Sequence, residues 1–312
     1  MVGMDLRHLR YLEAVTRHRH FTRASEELHV AQSALSHQIR KLERELGIEL
    51  LRRTTRSVEP TEAGELVAAR ARTILAEADA LRGDIDELRG LVRGRVAVGA
   101  LLFGGELDIP AILASFTASY PEVEVRLQDG TAQRMVEMLR DGTVDLAFAL
   151  EDEPPEDLER LELSSEELVL VMGEGHRLAS PRTAPVRPTS LATEPLIAFE
   201  RGSSVRRVFD AAFARAGVVP RIALEANDLA LVRGLVARGI GLAILPRSFA
   251  ELPGPPIAIR PLSPALRLAV VLWWRRGRHL SPAARTFVEF ARAHRPPGGG
   301  AGRLTSAVPQ KT

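Results

Sequence analysis

Residues 21–43 read FTRASEELHVAQSALSHQIRKLE and contain two short amphipathic segments joined by a tight turn. Ala24 and Leu28 lie four residues apart in the first segment. The second segment repeats apolar residues at spacings of four and three, at Leu35, Ile39 and Leu42. Such spacings predict two helices that each bury one apolar stripe. The pattern indicates a helix-turn-helix, with an ordinary helical hairpin as the alternative.

The ends of these two helices carry unequal signals. Thr22 has a hydroxyl suited to cap the first helix, whereas the second helix begins at Ala31 or Gln32 without a good capping side chain. Val30 is the apolar residue expected to fill the turn between them.

The second helix carries polar side chains on the face opposite its apolar stripe. They are Gln32, Ser33, Ser36, His37 and Arg40. Gln and Arg can pair bidentately with base edges and Ser can reach phosphate, so this face suits the major groove of DNA. Sequence-specific DNA binding is therefore the first hypothesis.

A basic segment, LLRRTTRSVEPT at residues 50–61, follows the second helix, and its Pro60 argues against helix. We interpret it as a wing that could lay Arg52, Arg53 or Arg56 along phosphates or into the minor groove. Residues 1–60 hold eleven Lys and Arg against eight Asp and Glu, whereas residues 61–91 hold four against seven. Positive charge is thus concentrated where DNA would bind.

Two longer patterns carry a family resemblance. Residues 28–47 follow L-x-V-x-Q-S-A-L-S-x-Q-I-x-x-L-E-x-E-L-G, and residues 53–64 follow R-x-x-R-x-V-x-x-T-E-A-G. With these motifs the chain resembles the LysR-type transcriptional regulators from residue 6 to about residue 295. The resemblance implies an α/β protein with an N-terminal winged helix-turn-helix, a long dimerisation helix and a C-terminal two-lobed periplasmic-binding-protein-like effector domain.

The resemblance also assigns DNA-facing positions. They fall on Gln32, Ser33, Ser36, His37 and Arg40 in the helix, and on Arg53 and Arg56 in the wing. His37 stands where Arg is frequent in the family. The base preference at this contact is therefore open, and the contact could be pH-sensitive.

Composition sets the broad class. The 312 residues are 45% hydrophobic and 26% charged, which indicates a globular protein with room for two or three domains. Without cysteine, the chain cannot use a disulfide framework, a thiolate zinc site or a Cys nucleophile. The start lacks a long apolar segment and no apolar run reaches the roughly 18 residues of a membrane span. We therefore expect a cytoplasmic protein.

Residues 61–92 are predicted to form one long helix that links residues 1–60 to the rest of the chain. Thr61 is its expected cap, and Glu62 and Glu65 fall in the first turn, where the helix dipole favours negative charge. An apolar seam alternates spacings of four and three through Ile74, Ala78, Leu81, Ile85, Leu88 and Val92. The seam could pack on its own domain or on a second copy, and the DNA-binding module favours a homodimer.

Beyond residue 93, strand and helix patterns alternate. Predicted strands cover residues 96–100, 123–128, 144–150, 167–172, 196–199, 222–225, 242–245 and 266–274. Predicted helices cover residues 106–119, 132–140, 205–216, 229–238 and 281–293. This alternation indicates parallel sheets covered by helices. Crossovers near Leu163 and Leu262 would divide residues 93–295 into a first lobe (93–163 and 263–295) and a second lobe (164–262), and residues 296–312 are expected to be disordered.

A cleft between the two lobes is the expected place for a small molecule, beyond the carboxyl ends of the strands. The candidate effector-binding residues are Phe103, Thr131, Gln133, Arg201, Ser203, Ser204, Asn227 and Pro246. The resemblance implies that hydroxyls and helix amides hold a carboxylate. The first loop, LLFGG, has no hydroxyl, which favours a more apolar or aromatic effector stacked on Phe103. For each residue, the alternative is a turn or cap without a ligand.

Motifs for metalloprotease, serine-hydrolase, phosphate-loop or dinucleotide chemistry are absent from the sequence. Gly239 and Gly241 follow a predicted helix and are interpreted as its end, and Asp145 on an apolar strand is interpreted as structural. We expect no enzyme activity, metal or cofactor; a small-molecule carrier and an enzyme on the two-lobed fold are the alternatives. The predicted partners are inverted-repeat operator DNA, a small-molecule effector, further copies in a homodimer or homotetramer, and RNA polymerase.

Overall fold

The computed structural model describes residues 4–53, 58–89, 91–100, 107–150, 155–180 and 184–296. Three of the predictions fall outside these ranges: the wing contact at Arg56, the cleft residue Phe103 and the disorder of the tail after residue 296. The side chain of Arg53 also lies outside the described part of the chain.

The N-terminal domain is a helix-turn-helix followed by a two-stranded wing. Its elements are α1 (Leu6–His18), α2 (Phe21–Glu27), α3 (Gln32–Leu46), β1 (Leu51–Arg53) and β2 (Val58–Pro60). The two strands pair antiparallel. Leu35, Ile39 and Leu42 of α3 are fully buried, and Val30 packs partly against the same core. The predicted apolar stripe therefore holds α3 against the rest of the domain.

Helix capping differs from the prediction at one end. Thr22 does not cap α2, because the helix begins at Phe21 and the imidazole Nδ1 of His20 accepts from the Thr22 backbone N–H at 3.2 Å. The prediction for Thr22 was wrong because a histidine ring took the position that the hydroxyl was expected to take. Ala31 precedes α3 without a side-chain cap, as predicted.

The long helix α4 (Glu62–Glu87) connects the two domains. Thr61 caps it as predicted, because its Oγ1 accepts from the Gly64 backbone N–H at 3.0 Å. The helix ends earlier than the expected residue 92. Val92 packs against the core of the C-terminal domain, so the chain must leave the helix axis before it.

The C-terminal domain alternates strands and helices. Its first part contains β3 (Gly94–Ala100), α5 (Ile109–Ser119), β4 (Val123–Asp129), α6 (Ala132–Asp141), β5 (Leu146–Leu150) and β6 (Leu158–Met172). The next part contains β7 (Pro195–Ala198), α7 (Ser204–Arg215), β8 (Arg221–Glu225), α8 (Leu229–Ala237), β9 (Leu242–Pro246) and α9 (Arg247–Ala250). The last part contains β10 (Ala258–Arg260), β11 (Leu266–Arg275) and α10 (Pro282–Ala293).

Within the described residues, these nine strands form one sheet in the order β4-β3-β5-β11-β6-β9-β7-β8, with β10 paired to β6. β3 is parallel to β4 and β5, and β7 is parallel to β8 and β9. β11 runs antiparallel to both of its neighbours, β5 and β6. The sheet is therefore mixed, whereas the alternation of elements had predicted parallel pairing alone.

Strand β6 links the two halves of this sheet. Its residues 158–168 pair with β11, and its residues 168–172 pair with β9 and β10. β6 is longer than the strand predicted at 167–172, and the chain returns to the first half between β10 and β11. Hence both changes between halves fall close to the predicted crossovers at Leu163 and Leu262. We call the half with β3 to β5 lobe 1 and the half with β7 to β9 lobe 2.

Candidate functional site

The outer face of α3 is polar and open to solvent. Gln32, Ser33, His37 and Arg40 are exposed, whereas Leu35 on the opposite face is fully buried. Ser36 departs from the prediction, because it is only 7% exposed. It lies beside the apolar stripe, and the Arg40 guanidinium covers it, with Nη2 3.4 Å from the Ser36 Oγ.

A buried histidine helps to orient α3. His8 of α1 is 2% exposed, and its Nε2 lies 2.9 Å from the Gln38 Oε1 on α3. At the other ring nitrogen, Nδ1 accepts from the Asp5 backbone N–H at 3.2 Å, which leaves Nε2 as the donor to Gln38. This bond fixes the position of α3 on α1 next to His37. The link joins residues 30 positions apart, so it has no signal in local sequence spacing.

A carboxylate ties α3 to the wing. Oε1 of Glu43 accepts from the backbone N–H groups of Leu50 and Leu51 at 3.0 and 3.1 Å. These bonds fix where β1 begins relative to α3, while Arg52 of β1 is exposed to solvent. Sequence reasoning assigned no role to Glu43.

The predicted apolar seam of α4 is uncovered along much of its length. Ile74, Leu81, Ile85 and Leu88 are 42%, 62%, 46% and 89% exposed. Other parts of the helix surface pack on the C-terminal domain: Gly83, on the side opposite the seam, lies against Pro282, and Asp84, at the edge of the seam, contacts Arg285. Since one side is already occupied, the uncovered stripe is available to another surface.

Hydrogen bonds and charge join α4 to α10. The Arg285 Nη2 and the His279 Nε2 lie 3.1 and 3.2 Å from the two carboxylate oxygens of Asp84. The hydrogen bond from Arg285 lowers the pKa of the Asp84 carboxyl, and His279 acts in the same direction. Asp84 therefore anchors the helix in its ionised form.

The loops at the carboxyl ends of the strands enclose a cavity of about 310 Å³. Seven of the predicted effector-binding residues line it: Thr131, Gln133, Arg201, Ser203, Ser204, Asn227 and Pro246. The lining comes from both lobes, with Thr131 and Gln133 at the start of α6 and Ser203 and Ser204 at the start of α7. The structure thus brings together residues that lie more than a hundred positions apart in sequence.

Two of the predicted hydroxyls are helix caps. The Thr131 Oγ1 accepts from the Arg134 backbone N–H at 3.3 Å, and the Ser203 Oγ accepts from the Arg206 backbone N–H at 3.1 Å. Each bond satisfies one N–H of a first turn and leaves the two preceding N–H groups without an intrahelical acceptor. Both α6 and α7 therefore present the positive ends of their dipoles to the cavity.

A carboxylate to which the sequence analysis gave no role, that of Glu200, lies in the same cavity. The Asn227 Nδ2 donates to the Glu200 Oε2 at 2.7 Å, and the Glu200 backbone N–H donates to the Asn227 Oδ1 at 3.0 Å. The neighbouring Arg201 is exposed and has no hydrogen-bond or ion-pair partner within the described ranges. Nothing in the local sequence around Glu200 indicates that its carboxylate faces a cavity.

The cavity also has an apolar wall that the sequence did not assign. It consists of Leu150, Phe199, Val205 and Leu229. Behind this wall, the buried Arg206 holds the loop after β7 in place. Its Nη1 donates to the Phe199 carbonyl oxygen and to the Glu225 Oε1, each at 2.7 Å.

Two further interpretations agree with the structure. Asp145 is part of the framework, since its Oδ2 accepts from the Ala97 backbone N–H at 2.9 Å and its Oδ1 lies 3.4 Å from Arg278. Gly239 has a φ of 74° just after α8, as expected of a helix end, and β9 follows it. Among the described residues there is no group of three or more His, Asp or Glu side chains that could hold a metal. None of the helices in the described ranges could span a membrane.

The chain combines a winged helix-turn-helix, a long connecting helix and a two-lobed α/β domain with a cavity between its lobes. This combination is typical of a DNA-binding regulator with an effector-binding domain. Two family models agree with this class. The bacterial regulatory helix-turn-helix protein model of the lysR family matches residues 6–65, and the LysR substrate binding domain model matches residues 89–296. This chain therefore belongs to the LysR family of transcriptional regulators.

Individual relatives extend the match over most of the chain. The HTH-type transcriptional regulator YybE of Bacillus subtilis is 29% identical over 291 residues, which covers 93% of this chain and 99% of YybE. OxyR of Escherichia coli, a DNA-binding transcriptional dual regulator, is 32% identical over 243 residues, covering 78% of this chain and 79% of OxyR.

Solved structures give the same result. Full-length CbnR in complex with its target DNA has a TM-score of 0.63 and 28% identity, covering 93% of this chain and 99% of CbnR. A full-length OxyR variant from Pseudomonas aeruginosa has a TM-score of 0.76 over 94% of this chain and 95% of its own, and at 24% identity it shows the fold alone. The chain is a DNA-binding transcriptional regulator with an effector-binding domain.

Proposed function

We propose that two copies of this chain, joined through α4, bind an inverted-repeat operator and that a small molecule between the lobes changes how they hold it. The observation that carries the proposal is the exposed polar face of α3, with Gln32, Ser33, His37 and Arg40 held outward by a fully buried stripe. Because each copy offers one recognition helix, a two-fold pair fits two half-sites in register with the DNA helical repeat.

Several contacts at the operator follow from this arrangement. Gln32 and Arg40 read base edges, Ser33 reaches phosphate, and His37 supplies a further contact to the DNA. Arg53 and Arg56 in the wing contact the backbone or the minor groove. Ser36 has a different role from the one expected, since it is buried beneath Arg40 and supports that side chain.

The exposed seam of α4 supports the dimer. Ile74, Leu81 and Ile85 lie on one side of the helix, and a second copy of the same stripe would remove them from water. Further pairing through the C-terminal domains would give a homotetramer, and RNA polymerase is a candidate partner at the promoter. We place this complex in the cytoplasm, where operator DNA is found, and assign it no enzymatic step.

A mobility-shift experiment tests the proposal. The probe is the duplex upstream of the protein's own gene, at physiological salt and with bulk competitor DNA, because non-specific binding depends steeply on salt. We expect preferential retention of fragments that contain an inverted repeat. Equal retention of every fragment, whatever its sequence, would contradict operator recognition.

A further inference from the structure

The charges of the effector cavity are unusual for a site expected to hold a simple carboxylate. Among the described residues that line it, Glu200 and Arg201 carry formal charges, and the rest are neutral. The two lie next to each other in the loop between β7 and α7. The cavity therefore offers one fixed negative group and one fixed positive group to its occupant.

Glu200 is held in position by its neighbour across the loop. The Asn227 amide donates to the Glu200 Oε2 at 2.7 Å and receives the Glu200 backbone N–H at 3.0 Å, so the two loops of lobe 2 are tied together. The second carboxylate oxygen, Oε1, has no partner within the described ranges. A carboxylate accepts hydrogen bonds and cannot donate them, so the group that completes this site must be a donor, best a cation.

Other groups that line the cavity suit an anion. The backbone N–H groups of Ala132 and Gln133 begin α6 and have no acceptor within that helix, because the Thr131 hydroxyl takes the N–H of Arg134 instead. The start of α7 faces the same cavity from lobe 2. Helix N-termini and the partnerless guanidinium of Arg201 together favour a carboxylate.

An apolar wall lines another part of the cavity. Leu150, Phe199 and Val205 are each less than 10% exposed, and Leu229 completes the surface. The volume of about 310 Å³ lies at the low end of the range for ligand cavities. A small molecule with one compact apolar group fits this space.

We propose that the effector is a zwitterionic amino acid with an apolar side chain. Its carboxylate binds at the N-terminus of α6 and Arg201, its ammonium binds the Glu200 carboxylate, and its side chain packs on Leu150 and Phe199. A simple carboxylate would leave the Glu200 carboxylate without a cation, and a simple amine would leave the N-terminus of α6 without an anion. The proposal rests on the effector role of this cavity but does not depend on operator binding.

Matched ligands test the proposal directly on the full-length protein. We would measure Kd at neutral pH by calorimetry, and melting temperature in parallel, for leucine and phenylalanine. The same measurements are made on isocaproate and hydrocinnamate, which lack the ammonium group, and on isoamylamine and phenethylamine, which lack the carboxylate. We expect the amino acid to bind about tenfold more tightly than either analogue, the effect of about one charge-assisted hydrogen bond.

Two variants test which residue binds each charged group of the ligand. Glu200→Gln keeps a side chain that can contact Asn227, and it should abolish the preference for the amino acid over its carboxylate analogue. Arg201→Gln should weaken binding of the amino acid and the carboxylate while leaving the amine unchanged. Glu251→Gln is the matched control, because Glu251 is 56% exposed in its side chain and lies outside the cavity.

The possible outcomes are distinct. The proposal is overturned if the unaltered protein binds the amino acid and the carboxylate analogue with equal affinity. It is also overturned if Glu200→Gln leaves the ratio of these two Kd values unchanged, or if no ligand in the panel binds. The predicted ratio without any operator binding would support the zwitterion site and contradict the regulator instead. The two hypotheses can therefore fail separately.

Discussion

Arg72 of α4 holds Asp141, the last residue of α6, at two atoms. Its Nε donates to the Asp141 carbonyl oxygen at 2.9 Å, and its Nη2 lies 3.3 Å from the carboxylate Oδ2. At the other end of α6, Ala132 and Gln133 line the cavity between the lobes. One ten-residue helix, roughly 15 Å long, thus joins the cavity to the helix that carries the DNA-binding domain.

Replacing Arg72 with Met should loosen this joint. The Arg72 side chain is only 15% exposed, so the change removes a shielded donor from the Asp141 carbonyl oxygen and from Oδ2, while Oδ1 keeps the Thr143 backbone N–H at 2.8 Å. We expect a loss of about 1 to 2 kcal/mol in the free energy of unfolding, measured in urea, and faster hydrogen exchange in the last turn of α6.

Arg82→Met is the control for that change. Arg82 lies on the same helix, but its side chain is 67% exposed and its partner is Asp79, three residues away. We expect a loss below about 0.5 kcal/mol, as for most exposed ion pairs. Equal losses in both variants would mean that the Arg72 contact is no stronger than a surface pair.

Leu81 in the seam of α4 should decide assembly. At 62% exposure it gains little from its own chain, so Leu81→Glu should leave the fold intact but place a charge in the proposed dimer interface. Sedimentation equilibrium should show a shift towards monomer by at least about tenfold in Kd. The adjacent Arg82→Glu, on the flank of the stripe, should dimerise normally, and a monomeric unaltered protein would contradict the proposed interface.

Two variants of α3 test whether Gln32 reads a base of the operator. Gln32→Ala should weaken binding to the operator by about 1 to 3 kcal/mol, with little effect on competitor DNA, because a glutamine that pairs with a base edge discriminates by that amount. Lys41→Ala is the control, since Lys41 is half-buried and its Nζ lies 3.9 Å from the Glu45 carboxylate. Fluorescence anisotropy with operator and scrambled duplexes measures both, and equal losses on the two duplexes would remove Gln32 from base readout.

The local spacing of apolar residues is enough to predict the helices that bury one apolar stripe. Leu35, Ile39 and Leu42 determine α3, and Thr61 caps α4 where the sequence placed it. Ser36 was misjudged because a residue at the edge of a stripe can be exposed or covered, and here the long side chain of Arg40 decides. Most residues that line the cavity can be predicted from topology, because they lie in loops that follow the strands.

Features that depend on distant partners were missed. Glu200 gains its position from Asn227, 27 residues away, and Glu43 from backbone N–H groups seven and eight residues away. Glu166, near the middle of β6, is buried although it is charged, and its carboxylate accepts from the Ser248 backbone N–H, 82 residues away. The antiparallel direction of β11 also has no signal in its own apolar sequence.

Acid should weaken the contact between α1 and α2 through Glu27. Hydrogen bonding from Arg17, at 2.7 Å, and from His18 lowers the pKa of Glu27 from its ordinary value of 4.5 to about 2. A carboxyl with a depressed pKa contributes stability above the pKa of the unfolded chain and loses that contribution as pH falls through the folded value. The stabilisation should therefore be complete above about pH 5 and should decline between pH 4.5 and about pH 2.

The comparison is between the unaltered chain and Glu27→Gln, by urea unfolding at several pH values. The Glu27 side chain is 39% exposed, so solvent screens the pair, and we expect a difference of about 0.5 to 1 kcal/mol at neutral pH. That difference should shrink towards zero as the pH approaches 2, because the ion pair is then lost in the unaltered chain as well. A difference that stays constant over this range would show that Glu27 acts through packing and not through its charge.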